Sequence, residues 1–339
     1  MVTAIKNYGL GLESIKNLGL LGYGMNLKNI LKEVFDKKPE EKVLVMHDTS
    51  KKQDNDWRYR IELAKSFNLP IASYDATNAN NADLPKYCVF EGGKHGFELV
   101  LSKFDIVIAL TEFSATAPLS KLAKKHGFRG ASMPGFTKEM TPALEIDFNQ
   151  LKKDVDEVKF GESAEIIFEV EKKEYRMFFD LRTMKVLRDN GSCKEKGKII
   201  NLPSGEAFIS PKDLDSRTSG YLPIQLDKVI IFKVEDNKIV SSDKPHPLMY
   251  RIKEDPAVGN IAELAIGVLG KYGIKPCGRT LLDEKLGLHI ALGRNDHFGG
   301  TVGVNSFKKK ENVWHQDYVY IKELQPLIKV VSIRLDTLI

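Results

Sequence analysis

Through the first half of the chain, short unbroken apolar runs alternate with amphipathic stretches. Positions Leu27, Ile30, Leu31 and Phe35 fall at helical spacing, which predicts a helix from about Asn26 to Phe35. Lys42 to Met46 then reads as a buried strand ending at His47-Asp48-Thr49. A helix over Asp54 to Phe67 and a strand over Leu69 to Tyr74 follow. Phe104 to Leu110, rich in Ile and Val, predicts a third strand. Ala117 to His126 predicts a helix closed by Gly127, and Arg129 to Met133 a fourth strand. Strands alternating with helices indicate βαβ units and a mostly parallel sheet. The pattern changes after Asp147. One more helix, Phe148 to Val158, precedes strand-like runs at Ala164 to Val170, Tyr175 to Asp180, Lys198 to Asn201 and Lys228 to Val234. Turns at Asp189-Asn190-Gly191 and Asp236-Asn237 punctuate them. The expected fold class is α/β: a Rossmann-like, mostly parallel N-terminal domain over 1–147, then an α+β domain over 148–339.

Composition narrows the function classes. With 42% apolar and 29% charged residues, the chain has the balance of a globular protein. Its net charge of +5 is spread along the sequence, unlike the clustered basic residues of a nucleic-acid binder. No apolar run approaches the ~20 residues that span a bilayer. Apolar residues from Gly9 to Tyr23 are interrupted by Glu13, Lys16 and several glycines, so no secretory signal is expected there. Cys88, Cys193 and Cys277 form no CxxC pair and read as buried or idle thiols, which fits a cytoplasmic protein. Gly9-Leu10-Gly11 precedes the first strand rather than following it, so a dinucleotide site is set aside.

Four of the seven histidines, His246, His289, His297 and His315, lie after residue 245. In Trp314-His315-Gln316-Asp317-Tyr318, positions i and i+2 of a strand share a face, so His315 and Asp317 point the same way. Glu284 and His289 stand five apart, the second opening the run His289-Ile290-Ala291-Leu292-Gly293. Glu263 lies among Ile, Leu and Ala, where an unpaired carboxylate is costly to bury. Imidazole and carboxylate are common ligands of divalent metals. Each piece also has a plain reading: a hydrogen-bonded His-x-Asp pair, a solvent-facing helix-start Glu263, and a turn residue at Glu206.

Taken in order, the segments Asn-Leu-Pro-Ser-Gly-Glu (201–206), Asn-Ile-Ala-Glu (260–263), Leu-Asp-Glu-Lys (282–285), His-Ile-Ala-Leu-Gly (289–293) and His-Gln-Asp (315–317) resemble the thermophilic aminopeptidase T metallopeptidases, in their broad aminopeptidase-like branch. Thr111-Glu112-Phe113-Ser114-Ala115-Thr116, Gly127-Phe128-Arg129 and Met133-Pro134-Gly135 are similar to that family's N-terminal domain. The resemblance runs from about Lys42 to the end. It implies a metal-dependent hydrolase that removes N-terminal residues from peptides. Two zinc, cobalt or manganese ions would be held by Glu206, Glu263, Glu284, His289, His315 and Asp317, with Glu263 bridging. Glu206 is also a candidate general base. The resemblance further implies a homodimer, with no nucleic-acid or membrane partner.

One departure stands out. The peptidases carry a tyrosine shortly after the His-Ile-Ala-Leu-Gly strand. Here the stretch is Arg294-Asn295-Asp296-His297-Phe298-Gly299-Gly300, in which His297 is the candidate catalytic side chain. Two alternatives stay open. One is an Fe(II)-dependent dioxygenase that opens dihydroxypyridine rings, its iron on His289, His315 and Asp317. The other is a non-catalytic or repurposed member that retains the metal for folding or peptide binding.

Overall fold

The structure, a computed structural model, describes residues 27–49, 54–76 and 83–335. The stretch from Gly9 to Tyr23 lies outside the described residues, as does Asn26. Those described fall into two compact units. One runs up to Glu145 and includes Cys193–Ile199; the other comprises Ile146–Ser192 and the chain from Ile200 onward.

In chain order the first unit contributes β1 (Val43–Thr49), α1 (Asn55–Ser66), β2 (Ile71–Asp75), β3 (Tyr87–Phe90), β4 (Gly93–Gly96), α2 (Phe97–Leu101), β5 (Ile106–Leu110), α3 (Thr116–His126) and β6 (Arg129–Ser132). Then come α4 (Phe148–Glu157), β7 (Ser163–Val170), β8 (Lys173–Asp180), β9 (Leu187–Asp189) and β10 (Ile199–Asn201). The remaining elements are β11 (Glu206–Ile209), β12 (Ser219–Gln225), β13 (Val229–Glu235), β14 (Lys238–Ser242), α5 (Pro247–Glu254), β15 (Ile261–Gly267), α6 (Thr280–Asp283), β16 (Leu288–Gly293), β17 (His315–Val319) and β18 (Lys329–Arg334).

A seven-stranded sheet in the order β10-β6-β5-β1-β2-β3-β4 is parallel from β6 through β2, with the β3–β4 hairpin antiparallel at one edge. Strands β1 and β5 are buried almost throughout, as parallel strands covered on both faces must be. Asp54 caps α1 by accepting from Trp57 N at 2.8 Å, and Gly127 closes α3 at φ +80°. The fold is mixed α/β, with a mostly parallel sheet and additional antiparallel sheets.

The second unit carries two antiparallel sheets, β14-β13-β12-β8-β7-β18 and β17-β16-β15-β11-β9. Phe168, Met177, Phe179, Leu222 and Phe232 of the first sheet share one core with Ile209, Leu264, Ile290 and Leu292 of the second. That is face-to-face packing, in which each strand gives alternate residues to the core. The opposite face of the five-stranded sheet is left for chemistry.

Candidate metal centre

The register of the five-stranded sheet decides which residues meet on that opposite face, where Glu206, Glu263 and His289 are buried. Glu263 of β15 stands opposite Ala291 of β16, which stands opposite Asp317 of β17. In the same way Ala265 faces His289, Gly293 faces His315, and Glu206 of β11 faces Gly267. Because strand side chains alternate, Leu264, Ile290 and Leu292 enter the core while Glu206, Glu263, His289, His315 and Asp317 project from the other face. Ala265, Gly267, Ala291 and Gly293 stand among them and leave room for the longer donors to converge, with Phe208 and Val319 on the same face.

A β-bulge between Ile261 and Glu263 sets the aim of Glu263. Its irregular backbone is tied down by side chains. Ser210 Oγ donates to Ala262 O at 2.9 Å and accepts from Asn295 Nδ2 at 2.9 Å. Asn260 Nδ2 donates to Gly293 O at 3.0 Å, and Asn237 Nδ2 donates to Asn260 Oδ1 at 3.0 Å. All four polar residues are buried, so this network fixes β15 against β16 at the level of the site.

Among the described residues, two groups place their donor atoms within 4.8 Å of one another: Glu206, Glu263 and His289, and Glu263, His315 and Asp317. Glu263 belongs to both. Its Oε1 lies 3.6 Å from His289 Nε2 and its Oε2 lies 3.2 Å from His315 Nε2. His289 Nε2 is also 3.3 Å from Glu206 Oε2, and His315 Nε2 is 3.5 Å from Asp317 Oδ1. The other nitrogen of each ring faces a backbone carbonyl: His289 Nδ1 meets Gly287 O at 3.4 Å and His315 Nδ1 meets Arg294 O at 2.7 Å. A carbonyl only accepts, so the proton sits on Nδ1 and the ligating lone pair of Nε2 turns toward the carboxylates.

Without a cation, that arrangement sets acceptor against acceptor. Burial opposes a charged His289, but its hydrogen bond to Glu263 and the charges of Glu206, Glu263 and Asp317 outweigh it and hold the imidazole up at about 9. His315 is likewise raised: burial opposes the charge, and contact with Asp317 and Glu263 prevails. Glu263 is held well below the usual carboxylate range, because the two imidazoles overcome its burial. Glu206 Oε2 is buried and makes no hydrogen bond. A buried, unpartnered carboxylate oxygen beside inward-facing imidazole nitrogens fits a divalent cation.

Lys285 belongs to this place and was not among the residues singled out from the sequence. Its Nζ donates to Glu206 Oε1 at 2.6 Å and to Glu284 Oε1 at 2.6 Å, with Asp189 Oδ2 at 3.8 Å. Its side chain is 1% exposed. Glu284 thus stands on the lysine and lies outside both donor groups. Burial raises its carboxyl, with the charges of Glu206 and Asp317 adding to the effect and Lys285 opposing it. The Glu284–Lys285 backbone passes so close to Gly267 that a Cβ there would sit 2.2 Å from Lys285 C. Only glycine leaves that path open. In the sequence Lys285 follows Asp283 and Glu284 between pairs of leucines, Leu281-Leu282 and Leu286-Gly287-Leu288, which does not by itself mark it as buried.

His297 is exposed at the edge of the site. Its ring lies 3.8 Å from that of Phe298 and 5.4 Å from that of His315. Its Nδ1 faces Asp296 Oδ1 at 3.4 Å. Desolvation and the neighbouring charge of His315 lower its basicity. A cavity of about 210 Å³ adjoins Asp317, with Thr280, Asp283, Tyr318 and Gln325 in its wall. No helix among the described residues is long and apolar enough to cross a membrane.

No protein-family model matches the chain, and no curated protein sequence matches it. Among solved structures, the 2,5-dihydroxypyridine dioxygenase of Pseudomonas putida KT2440 is similar with a TM-score of 0.55 at 16% identity, over 89% of this chain and 91% of that one. AmpT of Thermus thermophilus is similar with a TM-score of 0.46 at 13% identity, over 88% of this chain and 93% of that one. The likeness to the dioxygenase is one of fold.

Proposed function

We propose that this chain is a metal-dependent hydrolase of the aminopeptidase type, which releases N-terminal residues from peptides. The observation that carries this reading is Glu263, whose two oxygens face two histidines in two separate donor groups. A carboxylate so placed suits a pair of ions. Glu206, Glu263 and His289 would hold one, and Glu263, His315 and Asp317 the other. Bound there, two divalent ions supply an acidified water and a polarised carbonyl.

His297 would accept a proton in this chemistry. The Asp296 carboxylate only accepts, which puts the imidazole proton on Nδ1 and leaves Nε2 as a base. Its lowered basicity keeps that nitrogen unprotonated near neutral pH. It therefore replaces the family tyrosine in position but not in role: Nε2 takes a proton where a phenol would donate one. The cavity beside Asp317 would offer space for the peptide, and the carboxylates of the site a partner for its free α-amine.

The ring-opening alternative needs His289, His315 and Asp317 on one iron, yet the two histidines fall into different groups. The discriminating experiment loads the full-length protein with zinc, cobalt or manganese and follows leucine release from a leucyl dipeptide. Turnover that disappears with a chelator and returns with metal is the expected result. Oxygen uptake with a dihydroxypyridine on one iron per chain, and no dipeptide cleavage, would overturn the proposal.

A further inference from the structure

The two donor groups differ in one respect that the sequence alone does not reveal. Beside the Glu206 group stands a permanent cation. Lys285 Nζ is 2.6 Å from Glu206 Oε1 and from Glu284 Oε1, in a setting with 1% side-chain exposure. Among the described residues, neither Glu263 nor Asp317 forms an ion pair with Lys285 or with any other lysine or arginine side chain, and His315 meets an arginine only at the backbone carbonyl of Arg294. The ammonium therefore occupies one of the two oxygens of Glu206, leaves only Oε2 toward His289, and holds one oxygen of Glu284, which stands outside both donor groups.

We infer that Lys285 is a positioning residue that makes the two metal positions unequal, an inference that rests on the metal-dependent reading above. The position on Glu263, His315 and Asp317 fills first and tightly. The position on Glu206, Glu263 and His289 fills second and loosely, and Glu284 is a partner of the lysine rather than a ligand. The physical cause is direct. A divalent ion on Glu206 Oε2 lies on the far side of the carboxylate from an ammonium, and like charges a few ångströms apart repel strongly where water is excluded. The lysine also restricts Glu206 to one donor oxygen. Screening reduces this repulsion, yet a weakening on the order of 100-fold is expected. The consequence for function is an ion that exchanges within the reach of ordinary metal concentrations, so that activity follows occupancy of the second position alone.

The test is a zinc titration of the chelator-stripped full-length protein by calorimetry, with no substrate present. Wild type takes up two equivalents whose affinities differ on the order of 100-fold or more. Lys285→Met keeps the length of the side chain and removes its charge; it tightens the second equivalent and narrows the gap to under about 10-fold. A lysine with a merely structural role would give the opposite sign, since its loss would loosen both. Because Lys285→Met leaves Glu206 without its partner, Glu284→Gln serves as a second variant, with the lysine retained. It keeps both equivalents if Glu284 is not a ligand. Two equal equivalents in wild type, a wider gap in Lys285→Met, or loss of an equivalent in Glu284→Gln would each overturn the inference. Uptake of no zinc by wild type would overturn the metal-dependent reading itself and this inference with it.

Discussion

At the scale of single residues, the site depends on what each donor's second atom touches. His315 and Asp317 are read from a period of two, because a strand offers only two faces. Replacing either with alanine is expected to remove one of two bound equivalents, measured as metal per chain after loading and desalting. His297 differs: His297→Gln is expected to keep the metal content and lower turnover by about 100-fold, the scale of a lost general base. Loss of metal in that variant would move His297 into the ligand set. Lys285 could not be read in the same way, since a lysine in sequence is first a surface residue. Its burial depends on carboxylates brought by β11 and by the turn before β16, which no local pattern foretells. Gly267 is a similar case. Its lack of a side chain matters only because the Glu284–Lys285 backbone crosses it, so Gly267→Ala is expected to displace Lys285 and disturb zinc uptake while the sheet survives.

At the scale of elements, the strands that carry the donors are held by packing on one face and polar networks at their ends. Asn260 bridges β15 and β16 through Gly293 O, and Asn260→Ala leaves buried partners unmet. A loss of about 1–3 kcal/mol is expected, read from a denaturant titration of the metal-free protein. The first unit has its own fastener. Arg129, on β6, grips both oxygens of Glu41 at 2.7 and 2.9 Å and Phe35 O at 2.8 Å. The hydrogen bond from Arg129 lowers the Glu41 carboxyl to about 2. A depressed acid contributes stability that is present above its unfolded value of 4.5 and is lost as the pH falls toward 2. Wild type is therefore expected to exceed Glu41→Gln in thermal stability at pH 5 and to lose that margin by pH 2. Most strands of the parallel sheet were legible as apolar runs, because both their faces are covered. The β3–β4 hairpin was not, since its short half-exposed strands carry Gly93 and Gly96. Strand β12 was not predicted either, since Gly220 and Pro223 interrupt its apolar pattern.

At the scale of the whole molecule, the chain joins a mostly parallel sheet to a pair of packed antiparallel sheets, and the donors sit on the face of one antiparallel sheet turned away from the core. In the sequence the βαβ periodicity stops after Asp147. The return of Cys193–Ile199 to the first unit has no such signature, since a seven-residue excursion is too short to carry a period of its own. The candidate donors were named from five separated motifs only through a resemblance; four of the motifs meet on one face through strand register, while Glu284 of the fifth stands on Lys285 outside both groups. The most direct test of the central claim, that Glu263 serves two metal positions, is zinc uptake by the stripped Glu263→Ala protein beside wild type. Two equivalents are expected in wild type, with loss of tight binding at both positions in the variant. Two equivalents retained by Glu263→Ala would contradict it.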